Sequence, residues 1–181
     1  MIILSDIRAA HAIVSQVALR TPILPLKKSD RPDVFVKCEN LQRTGAFKIR
    51  GAYHRISKLP ASCKGVTASS SGNHAQAVAY AARLRGLKAC IVMLDQSVPH
   101  KVEATKSYGA EVILGGTSSV AIGERAEREA AERGYIFVPP FNDPDVIEGQ
   151  GTVGLEIVQD LAGVRAVVVP IGGGGLASGI A

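Results

Sequence analysis

The chain of 181 residues carries 21 Lys and Arg against 16 Asp and Glu, a net charge of +5, with 46% apolar residues. That length is enough for one substantial domain or two small ones with a real core. The basic residues are scattered and aromatics make up only 4%, which excludes a nucleic-acid tail or base-stacking surface and leaves at most a preference for small anions.

Ile7, Ala10, Ile13, Val14 and Val17 recur at helical spacing, which predicts a helix over Asp6–Leu19 with Ser5 or Asp6 as its cap. Asp6 and Arg8 interrupt the start too early for a signal peptide, and no apolar run could span a bilayer. Pro22 ends the helix, and the alternating DVFVKCE (33–39) reads as a strand. After Gly45, the positions Ile49, Ala52, Tyr53 and Ile56 form one helical face, with Lys48 in its first turn. From Gly65 the pattern becomes regular: strand GVTAS (65–69), helix 74–86, strand KACIVML (88–94), helix 100–109, strand AEVILG (110–115), helix 119–134 and strand YIFV (135–138). Pro139, Pro140 and Pro144 mark a loop, followed by helix GTVGLEIVQDLAG (151–163) and strand AVVVP (166–170). Strands alternating with helices predict an α/β fold with a parallel sheet. The chain stops six residues after a glycine turn that should open a helix, and this reading expects more chain in the native protein or a partner that replaces it. Cys38, Cys63 and Cys90 form no CxxC pair and suggest free thiols in a reducing, cytoplasmic setting. His11, His54, His74 and His100 lie too far apart for a metal-ligand pattern, so no metal is expected.

Three stretches could carry chemistry. In PIGGGGLASG (170–179) four successive glycines follow a strand. A tight turn needs only one or two, whereas a run of bare backbone amides can cradle a phosphate. Gly172, Gly174 and Ala177 also satisfy GxGxxA, but no acidic residue can follow at dinucleotide spacing. A second match at Gly149, Gly151 and Gly154 follows no strand and reads as coincidence. No GxxxxGK[ST] is present. In SSSGNHAQ (69–76) five small or polar residues lead into a helix. One would suffice as a cap; the amides and hydroxyls together suit a carboxylate. In TGAFKIRGAY (44–53), Lys48 by itself reads as a solvated surface charge. Shielded by Phe47 and Ile49 at a helix N-terminus, it gains a lowered pKa suited to Schiff-base chemistry. A lysine, a phosphate cradle and a carboxylate loop together fit a cofactor with an aldehyde and a phosphate, and pyridoxal phosphate has both.

TGAFKIRGA, SSSGNHAQAVAYAA and VPIGGGGLASG occur in the order and spacing of the fold-type II pyridoxal-phosphate enzymes. With KCENLQRTG and PPFNDPDVIEGQGTVGLEI, the chain resembles the threonine dehydratase (L-threonine/L-serine ammonia-lyase) and serine racemase subgroup. The resemblance implies open parallel twisted sheets flanked by helices, divided into 1–50 (large domain), 51–148 (small α/β domain) and 149–181 (return to the large domain, incomplete). It implies that Lys48 holds pyridoxal 5'-phosphate and acts as base, and that Phe47 packs on the pyridine ring. Asn73 would bond the phenolic oxygen, and Gly172, Gly173, Gly174, Gly175 and Leu176 the phosphate. Ser70, Ser71, Gly72, Asn73 and His74 would receive the substrate carboxylate, with Ser71 as second acid/base and with Phe141 and Asn142 bordering the site. The implied reaction dehydrates and deaminates L-threonine or L-serine to 2-oxobutyrate or pyruvate plus ammonia. The expected partners are a small hydroxy amino acid and further copies of the chain in a dimer or tetramer, with neither nucleic acid nor membrane. Racemisation, threonine synthesis, β-replacement, a catalytically inactive ligand-binding relic and a nicotinamide-dependent oxidoreductase are the alternatives. Ala46 stands where the subgroup commonly has serine. The part of the family beyond the glycine loop supplies the residue facing the pyridine nitrogen and the cation site of racemase-like members.

Overall fold

The computed structural model describes residues 2–26 and 33–181. Helix α1 (Leu4–Val14) buries Ile7, Ala10 and Val14. It begins earlier than the periodicity predicts because Asp6 Oδ2 accepts from the Ile3 amide at 3.0 Å. It also ends five residues sooner than Leu19, where side chains take over the backbone groups: Gln42 bonds both the N–H and the C=O of Leu19, each at 2.8 Å. Strand β1 (Ile23–Pro25), not foreseen, pairs antiparallel with β2 (Phe35–Lys37), the core of the predicted 33–39 strand.

Helix α2 (Lys48–Ser57) opens at Lys48 and buries Ile49, Ala52 and Ile56 on the expected face. Then follow β3 (Gly65–Ser69), α3 (Asn73–Leu84), β4 (Lys88–Met93), α4 (Pro99–Ser107), β5 (Glu111–Leu114), α5 (Ser119–Arg133) and β6 (Ile136–Phe137). The four strands β3 to β6 form one parallel sheet in the order β5-β4-β3-β6. The expected parallel α/β architecture is therefore present, with the β1–β2 pair as an antiparallel addition. The main core joins α2, α3, β3 and β4 through Ile49, Ile56, Val66, Val78, Ile91 and Met93. A second cluster, Val92, Ile122 and Ala126, seats α5 on the opposite sheet face.

Helix α6 (Pro144–Asp160) starts seven residues before the predicted helix, because Pro144 occupies the first turn and Asp143 Oδ1 caps the Val146 amide at 3.0 Å. The glycines at 149, 151 and 154 fall inside this helix and permit close backbone contact, not nucleotide binding. A Cβ on Gly149 would meet Arg50 O at 2.6 Å, and one on Gly151 would meet Gly179 O at 2.5 Å. The AVVVP segment forms no strand: no described strand pairs with it, and Val168 is 98% exposed. Valine-rich sequence supplies the propensity, but a ladder needs a neighbour. Helix α7 (Gly175–Ile180) follows the glycine turn and lies along α6.

An ion network fixes α2. The Arg50 side chain is fully buried, and its Nε and Nη2 donate to Glu39 at 2.9 and 2.8 Å. Nη1 donates to Glu156 at 2.7 Å and Thr152 at 3.2 Å, and Nη2 also reaches the Leu19 carbonyl at 3.1 Å. Lys37 closes the set, donating to Glu156 at 2.6 Å and to the Thr21 carbonyl at 2.7 Å. Two cations thus face two carboxylates. Burial alone would raise the Glu156 carboxyl, but hydrogen bonds from Arg50 and Lys37 hold it below its ordinary range. Removing Arg50 leaves buried carboxylates short of their cation. Arg50→Ala is expected to cost about 3–5 kcal/mol of stability in urea denaturation, and a loss below about 1 kcal/mol would refute this role for the network.

Candidate active site

The order β5-β4-β3-β6 places the switch in connection direction between β3 and β6. In open α/β sheets the crevice beyond the carboxyl ends of the strands at such a point receives ligands. A cavity of about 510 Å³ lies there, lined by Ser69 at the end of β3, Ser70 and Ser71 after it, Leu94 after β4, Phe137 of β6, and Pro139 to Asn142 of the following loop. Ser119 and Ile122 of α5 complete the wall.

Lys48 reaches this place from α2. Its Nζ donates to the Pro140 carbonyl at 2.6 Å and lies 5.3 Å from the centre of the Phe47 ring. Burial holds its ammonium below the ordinary lysine value. The chain turns into α2 through two left-handed residues, Thr44 (φ 62°) and Gly45 (φ 72°). Gly45 adopts that conformation freely. Thr44 is β-branched and strained there by about 1–3 kcal/mol, and its Oγ1 is buried without a partner. The predicted turn at Gly45 is therefore present, and Thr44 is a strained member that residue type did not signal.

The glycine turn meets the same loop. Gly173 has no room for a side chain, because a Cβ would run into the Phe141 ring, whereas at Gly172 a Cβ would meet nothing within 4 Å. Gly174 takes φ 85°. Pro140 and Phe141 thus join the cavity, the lysine and the glycine turn. A half-buried primary amine and a bare-backbone turn joined by one loop, with an apolar wall between, fit a phosphorylated aldehyde such as pyridoxal phosphate.

The serine loop caps α3 without using a side chain for it. The N-cap is Gly72, with no side-chain cap bond, so the first-turn amides remain available to an anion. Ser70 Oγ accepts from the Gly72 amide at 3.2 Å. Ser71 Oγ accepts twice, from the Leu94 amide at 2.8 Å and from Ser97 Oγ at 2.7 Å. Asn73 is exposed at the start of α3. The His74 ring is buried and faces the interior: its Nε2 donates to the Val138 carbonyl at 3.0 Å, leaving Nδ1 a buried acceptor without a partner. Leu176 is half-buried at the first turn of α7. The Pro140–Phe141 loop thus links the three stretches: it lines the cavity with the serine loop, accepts from Lys48 and packs on Gly173.

Sequence reading did not single out the Pro140 carbonyl, Ser97 or Gln150. A cluster of His54, Asp145 and Glu148 brings three metal-ligand types within 4.8 Å, but Lys58 pairs with Asp145 and lies 3.5 Å from Glu148. A lysine ammonium thus supplies the positive charge there. Among the described residues no helix is long and apolar enough to cross a membrane.

Residues 14–181 match the family model described as pyridoxal-phosphate dependent enzyme. The L-threonine ammonia-lyase of Thermotoga maritima is 47% identical over 99% of this chain and 46% of its own length. A threonine deaminase isoform 2 from Solanum lycopersicum superposes with a TM-score of 0.90 at 41% identity, over 98% of this chain and 50% of that one. Maize serine racemase superposes with a TM-score of 0.93 at 40% identity, over 98% and 55%. The chain therefore spans about half the length of these relatives.

Burial, and secondarily the charge of Lys48, pushes His74 down to about 4 from 6.5. The unfolded chain takes up this proton first as pH falls, so the stabilising contribution is complete above about pH 6.5 and lost progressively towards about pH 4. Melting temperature measured across this range should fall more steeply for the wild type than for His74→Gln. Equal slopes would refute the buried neutral ring.

Proposed function

The chain belongs to the pyridoxal-phosphate dependent enzymes, and on that footing we propose that the protein dehydrates and deaminates L-threonine or L-serine, giving 2-oxobutyrate or pyruvate and ammonia. The observation that carries this reading is a desolvated lysine, Lys48, bonded to the loop whose next residue packs on the glycine turn. Pyridoxal phosphate, when bound, supplies an electrophilic aldehyde and an electron sink for the charge left at Cα.

The chain's own residues account for the rest. Lys48 Nζ holds the cofactor and, once released by the substrate amine, takes the α-proton; desolvation favours the neutral amine this requires. Backbone amides of Gly172 to Leu176 would bind the phosphate, and Phe47 would pack on the pyridine ring. The amides of the Ser70–His74 loop receive the substrate carboxylate, with Asn73 set towards the phenolic oxygen. For His74 the ligand is the backbone N–H, since its ring is committed to Val138. Ser71 Oγ is held in place by Leu94 and Ser97. Phe137, Phe141 and Ile122 give the cavity an apolar wall. The division at residues 50 and 149 is kept as part of this reading, with the substrate between the resulting units. Three free cysteines suit a cytoplasmic setting, and a homo-oligomer is the assembly the family resemblance implies.

Ser71 also supports a second reading, racemisation of serine, because it lines the cavity and a hydroxyl there can deliver the proton that reprotonation at Cα requires. Assays of 2-oxo acid and of D-serine formation separate the two. Dehydration predicts 2-oxo acid from threonine or serine exceeding D-serine, with Lys48→Ala losing the cofactor's absorbance band and at least about a thousandfold of the rate. Undiminished turnover in Lys48→Ala would overturn the proposal, and predominant D-serine formation would select the racemase reading.

A further inference from the structure

Gln150 lies on α6 with no exposed surface, yet both its side-chain Oε1 and Nε2 are buried without a partner. Such an amide is destabilising, and native interiors keep few of them. It cannot relieve this by moving its helix: flanking Gly149 and Gly151 bring the α6 backbone against Arg50, Gly51 and Gly179. The side chain itself bridges two parts of the site. Its Cγ lies 3.0 Å from where a Cβ on Gly51 of α2 would stand, and its Oε1 lies 2.9 Å from the corresponding point on Gly175. Gln150 therefore touches the helix that carries Lys48 and the end of the glycine turn.

Resting on the pyridoxal-phosphate reading above, we propose that Gln150 is a positioning residue for the glycine turn, its amide hydrogen-bonding the backbone of Gly172–Gly175 when that turn closes on the cofactor phosphate. The turn's carbonyls can accept from Nε2, and an N–H of the turn that the phosphate does not take can donate to Oε1. A neutral amide suits the position better than a carboxylate, which would repel the phosphate. The unmade bonds of the cofactor-free protein become bonds of the loaded one, so the residue exchanges stability of the free form for affinity.

Gln150→Met tests this, since methionine keeps the length and removes the polar atoms. Melting temperature is measured on the cofactor-free protein, and affinity is measured for pyridoxal phosphate and for pyridoxal, which lacks the phosphate. The expected variant melts at or above the wild type, binds pyridoxal equally well and binds pyridoxal phosphate about tenfold more weakly. Parallel weakening of both ligands, unchanged affinity for pyridoxal phosphate, or a variant that melts lower or fails to fold would overturn the inference. Wild-type protein that fails to bind pyridoxal phosphate would instead overturn the functional reading beneath it.

Discussion

The position of Lys48 depends on the burial of Arg50, two residues further along the same helix. A fully buried guanidinium must have its donors satisfied, and here Glu39, Glu156, Thr152 and the Leu19 carbonyl satisfy them. Those partners come from the segment before α2 and from α6. The register of α2 is thereby pinned at its first turn, where packing by Ile49, Ala52 and Ile56 alone would tolerate small slides. The role proposed for Lys48 needs that precision, because misplacement of the reacting atom by an ångström is costly in rate. The polar network thus trades part of its Coulombic gain against desolvation and returns position.

Helix α6 carries this constraint to the other half of the site. Its glycines at 149 and 151 allow α2 and α7 to approach backbone to backbone, so the lysine helix and the helix after the glycine turn share one support. The loop before α6 completes the connection, with Pro140 accepting from Lys48 and Phe141 seated on Gly173. Burial acts on the chemistry throughout: it lowers Lys48 towards the neutral amine and keeps His74 neutral as a brace between α3 and β6.

Much of this was legible in the sequence because local pattern and tertiary role agree. The strands GVTAS and KACIVML and the helices between them obey their periods, and β3 coincides with its predicted span. The candidate site stretches stand out in the sequence because glycines and serines occur there in greater number than a turn or a cap needs. The start of α6 is hidden because Pro144 reads as part of a proline loop, whereas it occupies the first turn of the helix. AVVVP was read as a strand on propensity, which cannot reveal whether a partner strand lies beside it. Gln150, Ser97 and the Pro140 carbonyl were invisible because their roles arise from contacts across the fold rather than from residue type. Thr44 belongs with them, since strain at a non-glycine residue leaves no trace in composition.

The central claim is that Lys48 is the amine that holds the cofactor. Reduction of the pyridoxal-phosphate-loaded protein with borohydride, followed by peptide mass mapping, reads this directly. The account predicts a single phosphopyridoxyl group on the peptide containing Lys48. Label on another lysine, such as Lys101 beside the serine loop, or no stable label on the loaded protein, would contradict it.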